Sequence, residues 1–182
     1  YEQMWDISER RFLTEADGWT NVSLWGMGIA SRDLTSDGRD EVMLTSMGDQ
    51  LLQIAQPDGR YEAAPYAIGT YAQRPHVGDD GRPSTGWHAE FGDVDNDGRA
   101  DLFIAKGNVD QMPGMATRDP NNLLLQLADG TFSEVAHTAG VASTTRSRGG
   151  ALADFDGDGR LDLIVSNRRA PLELYRNVTA KT

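Results

Sequence analysis

The sequence predicts an all-β fold, namely a partial β-propeller of about three four-stranded antiparallel blades. An acidic loop of nine residues occurs three times, beginning at Asp33, Asp93 and Asp154. The loop starts lie about 60 residues apart, and a constant period indicates one structural unit that is repeated. Short apolar runs bounded by Gly, Asn and Asp accompany each loop, as is typical of buried strands. Four short strands in about 60 residues match one propeller blade.

The composition of the loops indicates a metal site. Loops 93–101 and 154–162 each contain four aspartates, whereas loop 33–41 has Thr35 and Glu41 where the others have aspartate. Four carboxylates within nine residues repel one another unless a cation lies among them. Oxygen ligands without a nearby His or Cys favour a hard cation, and calcium is the best candidate.

An EF-hand loop also begins Asp-x-Asp-x-Asp-Gly, but it requires Glu at position twelve and a helix on each side. Position twelve here is Leu44, Ile104 or Val165. The acidic closing residue stands at position nine instead, and a β-forming run follows it. The EF-hand is therefore excluded, and each loop is predicted to join two antiparallel strands.

The strands of each unit are predicted in chain order around its loop. The first strand is rich in small residues, which let neighbouring backbones approach closely. The third strand is followed in two units by an Asp-Gly turn and a fourth strand. The predicted ranges are 28–30, 88–92 and 149–153 for the first strand, 42–44, 102–104 and 163–165 for the second, 50–54, 123–127 and 172–175 for the third, and 57–62 and 128–133 for the fourth. The third unit has no clear fourth strand, and residues 10–14 are candidates to supply it.

These units predict one propeller segment, 1–182, with blade repeats at approximately 12–66, 86–136 and 147–177. The stretches 69–86 and 107–121 are predicted insertions at a propeller face. Propellers close with at least four blades. Three blades therefore require the rest of a propeller or another copy, or they form an open arc. Because the chain begins at Tyr1, we expect it to be a processed or excised segment.

The bulk composition excludes several functions. The formal net charge of −11 disfavours nucleic acid and anionic membranes as partners. No apolar run approaches the roughly 20 residues that a membrane span needs, so membrane insertion is not expected. The chain has no cysteine, and millimolar calcium is an extracellular or periplasmic condition. We therefore expect an extracellular or periplasmic protein.

At the acidic loops the chain resembles the FG-GAP/VCBS repeat family of calcium-loop β-propellers. Further motifs resemble its ASPIC/UnbV (cartilage-acidic-protein-like) branch. These motifs are Asp101–Asp110, Asn122–Leu124, Asp129–Phe132, Ser147–Ala151 and Leu174–Asn177. The resemblance covers roughly residues 25 to 177.

The resemblance implies the metal ligands by position. Each of the two full loops would use four carboxylates and one arginine carbonyl oxygen, and the first loop would use the matching residues. The full set is Asp93, Asp95, Asp97, Arg99 and Asp101; Asp154, Asp156, Asp158, Arg160 and Asp162; and Asp33, Thr35, Asp37, Arg39 and Glu41. We predict two strong calcium sites, with the first loop weaker or empty.

The repetition of the loops argues against catalysis, because an active site is normally unique whereas a structural clamp recurs. No Gly-x-Ser-x-Gly elbow or phosphate-binding glycine loop is present. The leading hypothesis is a non-catalytic calcium-binding module that mediates extracellular binding or adhesion to a protein or glycan ligand. The alternative is the propeller domain of a secreted carbohydrate-active enzyme, a lyase or hydrolase, with His76, Arg118 or His137 in its active site.

Overall fold

A computed structural model describes residues 3–19, 22–71, 85–112 and 114–180. Its strands form four antiparallel sheets, which confirms the all-β prediction. The N-terminal sheet has two strands, and three blades follow it in chain order. The N-terminal sheet consists of β1 (Trp5–Asp6) and β2 (Arg11–Phe12); blade 1 of β3 (Gly26–Arg32), β4 (Glu41–Ser46), β5 (Leu51–Ala55) and β6 (Tyr61–Ala63); blade 2 of β7 (Gly86–Gly92), β8 (Asp101–Lys106), β9 (Asn122–Gln126) and β10 (Phe132–Glu134); and blade 3 of β11 (Ser147–Ala153), β12 (Asp162–Asn167) and β13 (Glu173–Tyr175).

Short helical turns follow the outer strands. A 3₁₀ turn at Glu15–Asp17 follows β2, a 3₁₀ turn at Tyr66–Ile68 follows β6, and helix α1 (Ala136–Ala139) follows β10. None of the helices in the described ranges has the length and apolar character needed to cross a membrane.

Each acidic loop joins the first and second strands of its blade. The pairs that flank the loops are Arg32 with Glu41, Gly92 with Asp101, and Ala153 with Asp162, all in antiparallel register. This confirms that the loop acts as an enlarged hairpin turn. Blades 1 and 2 are meanders of four strands, whereas blade 3 has three strands among the described residues.

The blades pack face to face through apolar cores. One core lies between blades 1 and 2 and contains Met43, Leu102 and Phe132. A second core lies between blades 2 and 3 and contains Phe103, Leu163 and Val165. Burial of these side chains away from water supplies the main stabilisation of the stack.

The small residues of the first strands allow this packing. A Cβ atom on Gly150 in β11 would lie 2.5 Å from Cε1 of Phe103 in β8. A Cβ atom on Gly28 in β3 would lie 2.7 Å from the carbonyl oxygen of Trp87 in β7. Larger residues at these two positions would therefore force neighbouring blades apart, as the composition of these strands predicts.

The N-terminal sheet repeats the outer half of a blade. The N–H of Leu13, just after β2, donates to the carbonyl oxygen of Met4 at 2.8 Å. Blade 1 has the same bond from Ala64 to Leu52, also 2.8 Å. Met4 packs with Val22 and Leu24 on the outer face of blade 1, over the buried side chains of Val42, Leu44 and Leu51.

The expectation that residues 10–14 complete the third unit is therefore wrong. Arg11–Phe12 pairs with Trp5–Asp6 instead, at the opposite end of the stack. In the described structure β13 pairs only with β12.

The two predicted insertions are described only in part. Residues 72–84, which include His76, and residue 113 lie outside the described residues. Within 107–121, Ala116 and Asp119 are buried, and Met112 forms a bridge with Met115. Residues 12–25, which the approximate first repeat includes, precede the first strand of blade 1.

Candidate metal centres

The first aspartate of each loop shapes the loop backbone. Oδ1 of Asp93 accepts a hydrogen bond from the N–H of Asp97 at 3.0 Å, and its Oδ2 accepts one from Gly98 at 2.9 Å. Gly98 has a φ of +87°, a left-handed conformation that favours glycine. Asp154 makes the same two bonds with Asp158 and Gly159, at 3.0 and 2.9 Å. The loops are therefore organised by hydrogen bonds from their own backbone.

The closing aspartate joins the loop to the third strand. Asp101 is fully buried, and its Oδ2 accepts a hydrogen bond from the N–H of Val94 at 2.9 Å. Its Oδ1 accepts one from the N–H of Gln126, the last residue of β9, at 2.9 Å. Asp162 repeats this arrangement in blade 3 with Phe155 at 3.2 Å and Asn177 at 2.8 Å. The sequence predicts a ligand role for these aspartates, whereas their bonds to the third strand are visible only in the structure.

Two groups of three carboxylates lie at equivalent places in blades 2 and 3. One carboxylate oxygen from each of Asp93, Asp95 and Asp101 lies within 4.8 Å of the others. Asp154, Asp156 and Asp162 form the second group by the same measure. Across the described ranges, these are the two groups of three or more His or acidic residues with ligand atoms this close. The structure thus brings together the first, second and fourth predicted carboxylates of each full loop.

Electrostatics in blade 2 favour a cation. Burial raises the pKa of Asp95, and the charges of Asp97 and Asp93 raise it further. Burial also raises the pKa of Asp101 to about 6, against the lowering effect of the N–H groups of Gln126 and Val94. Ionised carboxylates are thus destabilised here by desolvation and mutual repulsion. A divalent cation would relieve both effects, and an all-oxygen donor set fits calcium.

The remaining predicted carboxylate of each full loop contacts an arginine. Asp97 forms an ion pair with the guanidinium of Arg99. Nε of Arg99 also donates to the carbonyl oxygen of Gln126 at 3.0 Å. In blade 3, Arg160 pairs with Asp158 and donates to the carbonyl oxygen of Asn177 at 2.9 Å. The family resemblance implies only a carbonyl ligand from each of these arginines, and in the structure their side chains form a second link to the third strand.

The centre in blade 3 has an additional cation nearby. Nε of Arg176 donates to Oδ2 of Asp156 at 2.6 Å. Burial by itself raises the pKa of Asp158, but the N–H and charge of Arg160 and the charge of Arg176 give a net lowering. Asp154 and Asp156 are also more exposed than Asp93 and Asp95. The two centres therefore share a backbone geometry and differ in their surroundings.

The first loop has the shape of the others with a different set of side chains. Asp33 accepts hydrogen bonds from Asp37 at 3.1 Å and Gly38 at 2.9 Å, and the Gly38 bond is the main cause of its lowered pKa. Oε2 of buried Glu41 accepts from Leu34 at 2.7 Å, and burial raises the pKa of Glu41. Arg39 pairs with Asp37 at 2.6 Å. With Thr35 at the second ligand position, this loop does not form a group of three close carboxylates.

The residues named for the enzyme alternative are not all described. Arg118 and His137 are exposed, and His76 lies outside the described residues. A shared active site for these three residues stays a prediction.

The profile of the family described as FG-GAP-like repeat matches residues 33–104 and 111–165, which is more than half of the chain. Cartilage acidic protein 1 of Mus musculus is 29% identical over 164 residues, which cover 85% of this chain and 23% of that protein. The Xenopus tropicalis protein of the same name is 33% identical over 85 residues, 46% of this chain and 12% of its own length. The Homo sapiens protein is 44% identical over 57 residues, 31% of this chain and 9% of its own length.

The chain thus spans about a quarter or less of the length of each of these relatives. The family profile covers all three acidic loops, from Asp33 to Asp162. It therefore agrees with the resemblance read from the sequence and with the repeated blades of the structure. The chain belongs to the FG-GAP-like repeat family.

Proposed function

We propose that this chain is a non-catalytic calcium-binding β-propeller module that acts in binding or adhesion outside the cytoplasm. One observation carries the proposal: two blades place the same three carboxylates, Asp93, Asp95 and Asp101 or Asp154, Asp156 and Asp162, within 4.8 Å of one another. Equivalent clusters at equivalent loops favour a structural clamp over a unique active site.

The protein residues have separate roles in this clamp. Asp93 fixes the loop backbone through its bonds to Asp97 and Gly98. Asp101 holds the loop against β9 through Gln126. Asp95 has its carboxylate among those of its neighbours, where a bound calcium ion would neutralise their charge. At a free concentration 100 times its dissociation constant, calcium would stabilise the fold by about 2.7 kcal/mol for each site.

Calcium binding at these loops would also indicate where the protein acts and what kind of ligand it binds. Extracellular modules bind calcium with dissociation constants of roughly 10⁻⁴ to 10⁻³ M, which suits sites at exposed loops. The absence of cysteine is compatible with calcium as the bracing element in place of disulfides. We therefore place the protein in an extracellular or periplasmic setting, with a protein or glycan ligand.

Calorimetric titration of metal-stripped protein with calcium tests the proposal. We expect two sites, and a melting temperature that falls by about 5–15 °C in EDTA. The variants Asp95→Ala and Asp156→Ala should each remove one site. Asp58→Ala is the matched control, because Asp58 is an exposed turn aspartate outside the loops. Absence of binding heat together with an unchanged melting curve in EDTA would refute calcium binding.

The binding role needs its own test. Labelled protein is applied to arrays of glycans and of purified extracellular matrix proteins, in calcium and in EDTA. The double variant Asp95→Ala/Asp156→Ala controls for the metal. Capture that depends on calcium and is lost in the double variant would support the role, whereas equal capture in all conditions would contradict it.

A further inference from the structure

Three arginines lie together at the end of the stack opposite to the acidic loops. Arg146 precedes β11, Arg148 is the second residue of β11, and Arg168 follows β12. We propose that this arginine cluster binds an oxyanion group, a sulfate or a carboxylate, of an acidic saccharide. The proposal rests on the binding role proposed above and names the ligand class, while the calcium centres take no part in the contact.

The arginine cluster meets blade 2 at the backbone segment that follows β8. Nη1 of Arg148 donates a hydrogen bond to the carbonyl oxygen of Gly107 at 2.8 Å. Nη1 of Arg168 donates to the carbonyl oxygen of Val109 at 2.7 Å. A Cβ atom on Gly107 would lie 2.6 Å from Cα of Arg146, so the backbones approach closely there. The cluster therefore lies at the junction of two blades that are both present, and not at an open edge of the stack.

Arg148 is the fixed base of the cluster. Its guanidinium lies over the ring of Trp87, 4.2 Å from the ring centroid, in an attractive cation–π contact. Nε1 of Trp87 in turn donates to the carbonyl oxygen of Gly107. Nη1 of Arg148 also donates to the carbonyl oxygens of Ser147 at 2.7 Å and Arg146 at 3.3 Å. The side chain is thus held in place by groups that carry no negative charge.

The positive charges of the cluster are not neutralised within the described structure. The ion pairs of the described residues include none of the three arginines. Two carboxylates in adjoining segments have other partners. Glu173 accepts a hydrogen bond from Oγ of Ser143 at 2.8 Å, and Asp110 accepts one from the N–H of Gln111 at 2.9 Å. An anion from outside these segments is therefore the expected partner of the cluster.

Two further observations show that this junction favours a negative charge. Burial lowers the pKa of Arg148, and the like charges of Arg168 and Arg146 lower it further. The carbonyl oxygen of Asn108 accepts from Nη2 of Arg148 at 3.2 Å. Asn108 is fully buried, and its own Nδ2 has no acceptor among the described residues. Donors thus outnumber acceptors at this junction, as expected where an oxygen-rich anion binds.

The net charge of −11 does not cancel the charge of the cluster. An antiparallel strand rises about 3.4 Å per residue, so Asp154 beyond the far end of β11 lies roughly 20 Å from Arg148. This distance is more than twice the screening length of about 8 Å at physiological ionic strength. A short anionic ligand would therefore meet the arginines without strong repulsion from the acidic loops.

The donors that remain available favour a saccharide. The guanidinium of Arg146 has no hydrogen-bond partner in the described part of the chain, and Arg168 uses only Nη1. Such planar groups bind the oxygens of sulfate and carboxylate through two parallel hydrogen bonds. The neighbouring residues in the chain, Thr145 and Asn167, are polar and uncharged, which suits the hydroxyl groups of a saccharide. A peptide partner would instead need pockets for buried anchor side chains.

Short oligosaccharides test the proposal on the intact chain in calcium buffer. The probes are a sulfated heparin tetrasaccharide, tetragalacturonate, which carries carboxylates alone, and neutral maltotetraose. We expect saturable binding of at least one acidic probe, with NMR shift changes at the amides of Arg146, Arg148 and Arg168 and at the indole N–H of Trp87. Maltotetraose should not bind. The acidic probe that binds more tightly identifies the preferred oxyanion.

The double variant Arg146→Gln/Arg168→Gln removes two charges and leaves Arg148 to hold the backbone after β8. It should weaken binding of the acidic probe about tenfold or more. Arg10→Gln/Arg60→Gln is the matched control. It removes two exposed arginines far from the cluster in the chain, and Arg10 has a positive φ of +54°, close to the +62° of Arg146. Circular dichroism verifies that both variants fold.

Several outcomes would overturn the proposal. These are absence of saturable binding, equal affinity of the parent and Arg146→Gln/Arg168→Gln, equal binding of maltotetraose, and shift changes confined to the acidic loops. Tighter binding of a glutamate hexapeptide than of both acidic saccharides would also overturn it, because the ligand would then be a polypeptide.

Calcium titration of the same arginine variant separates this proposal from the calcium centres. The variant should keep both calcium sites, because the cluster and the acidic loops lie at opposite ends of the strands. Unchanged saccharide binding with both calcium sites intact would refute the arginine site alone. Absence of calcium binding in the parent would refute the calcium module and leave the saccharide result standing.

Discussion

Oδ1 of Asp101 accepts a hydrogen bond of 2.9 Å from the N–H of Gln126, which connects the end of an acidic loop to the end of the third strand. Asp162 and Asn177 form the same connection in blade 3, at 2.8 Å. The closing carboxylate thus has a backbone role in addition to its place in the carboxylate group. Asp95 lies in the same group, and its Oδ1 accepts a hydrogen bond from the exposed N–H of Asp97 at 3.2 Å. Substitution of Asp101 and substitution of Asp95 should therefore affect stability differently in the absence of calcium.

We expect Asp101→Ala to lower the free energy of unfolding in EDTA by about 1–3 kcal/mol. The N–H groups of Val94 and Gln126 would lose their acceptor in a buried place, and each unsatisfied group is costly. Removal of a buried charge offsets part of this loss. Urea denaturation in EDTA measures the change. An unchanged midpoint would show that the bonds to Val94 and Gln126 contribute no net stability.

Asp95→Ala should leave stability in EDTA nearly unchanged and should lower stability in calcium. In EDTA its free energy of unfolding should stay within about 0.5 kcal/mol of the parent value or rise, because repulsion from Asp93 and Asp97 is removed. In calcium the variant should lose about 2.7 kcal/mol of stabilisation, the contribution of one site at 100 times its dissociation constant. Parallel urea curves with and without calcium give both numbers. Full calcium stabilisation in this variant would exclude Asp95 as a ligand.

Glycines 69 and 140 provide a matched pair of substitutions. Both have a positive φ, so alanine at either position costs about 1–2 kcal/mol from the backbone alone. At Gly69 the new Cβ would also lie 2.5 Å from the carbonyl oxygen of Phe132. We therefore expect Gly69→Ala to destabilise the protein by at least about 1 kcal/mol more than Gly140→Ala. Thermal denaturation of the two variants measures the difference, and equal melting temperatures would contradict the packing described for β10.

Much of the blade architecture was predictable because it depends on local patterns that repeat. The run Leu102–Ile104 is apolar and follows an acidic loop, so its strand and the hairpin before it could be read from the sequence. The pairing of Arg11–Phe12 could not, because strand composition does not specify the partner strand. The turn that precedes Arg11 does have a recognisable residue in the sequence, Asp6. Oδ1 of Asp6 accepts hydrogen bonds from Ser8 at 2.8 Å and Glu9 at 3.0 Å, an arrangement typical of aspartate in turns.

At the metal centres too, groupings within one loop were predictable and contacts between distant residues were not. The grouping of Asp93, Asp95 and Asp101 follows from their positions within one loop. The contact of Arg99 with the carbonyl oxygen of Gln126 spans 27 residues and depends on how the loop packs against β9. Such a contact requires tertiary structure. The sequence therefore predicted the carboxylates and left out the arginine link between loop and strand.

Asp17 should make the stability of the N-terminal sheet depend on pH. Its carboxylate accepts two hydrogen bonds from Arg11, at 2.7 and 2.8 Å, and one from the N–H of Thr14 at 2.8 Å. Hydrogen bonds from the guanidinium of Arg11 and, as the next largest cause, from Thr14 hold the pKa of Asp17 well below its ordinary value of 3.8. A folded pKa below the unfolded one means that the ionised form stabilises the fold. This contribution is fully present above the ordinary pKa and is lost as the pH falls below it.

The variant Asp17→Asn isolates that contribution, because it removes the charge and leaves the size of the side chain nearly unchanged. In EDTA at pH 7 the variant should melt at a lower temperature than the parent, and the difference should shrink as the pH falls from 5 to about 3. Fluorescence of Trp5 and Trp19, which flank this segment, follows the transition. Asp58→Asn is the control, since Asp58 and Arg60 form an exposed ion pair at 3.2 Å that contributes little at any pH. A difference between parent and Asp17→Asn that is constant over this pH range would show that the charge of Asp17 is not what holds Arg11 against the turn.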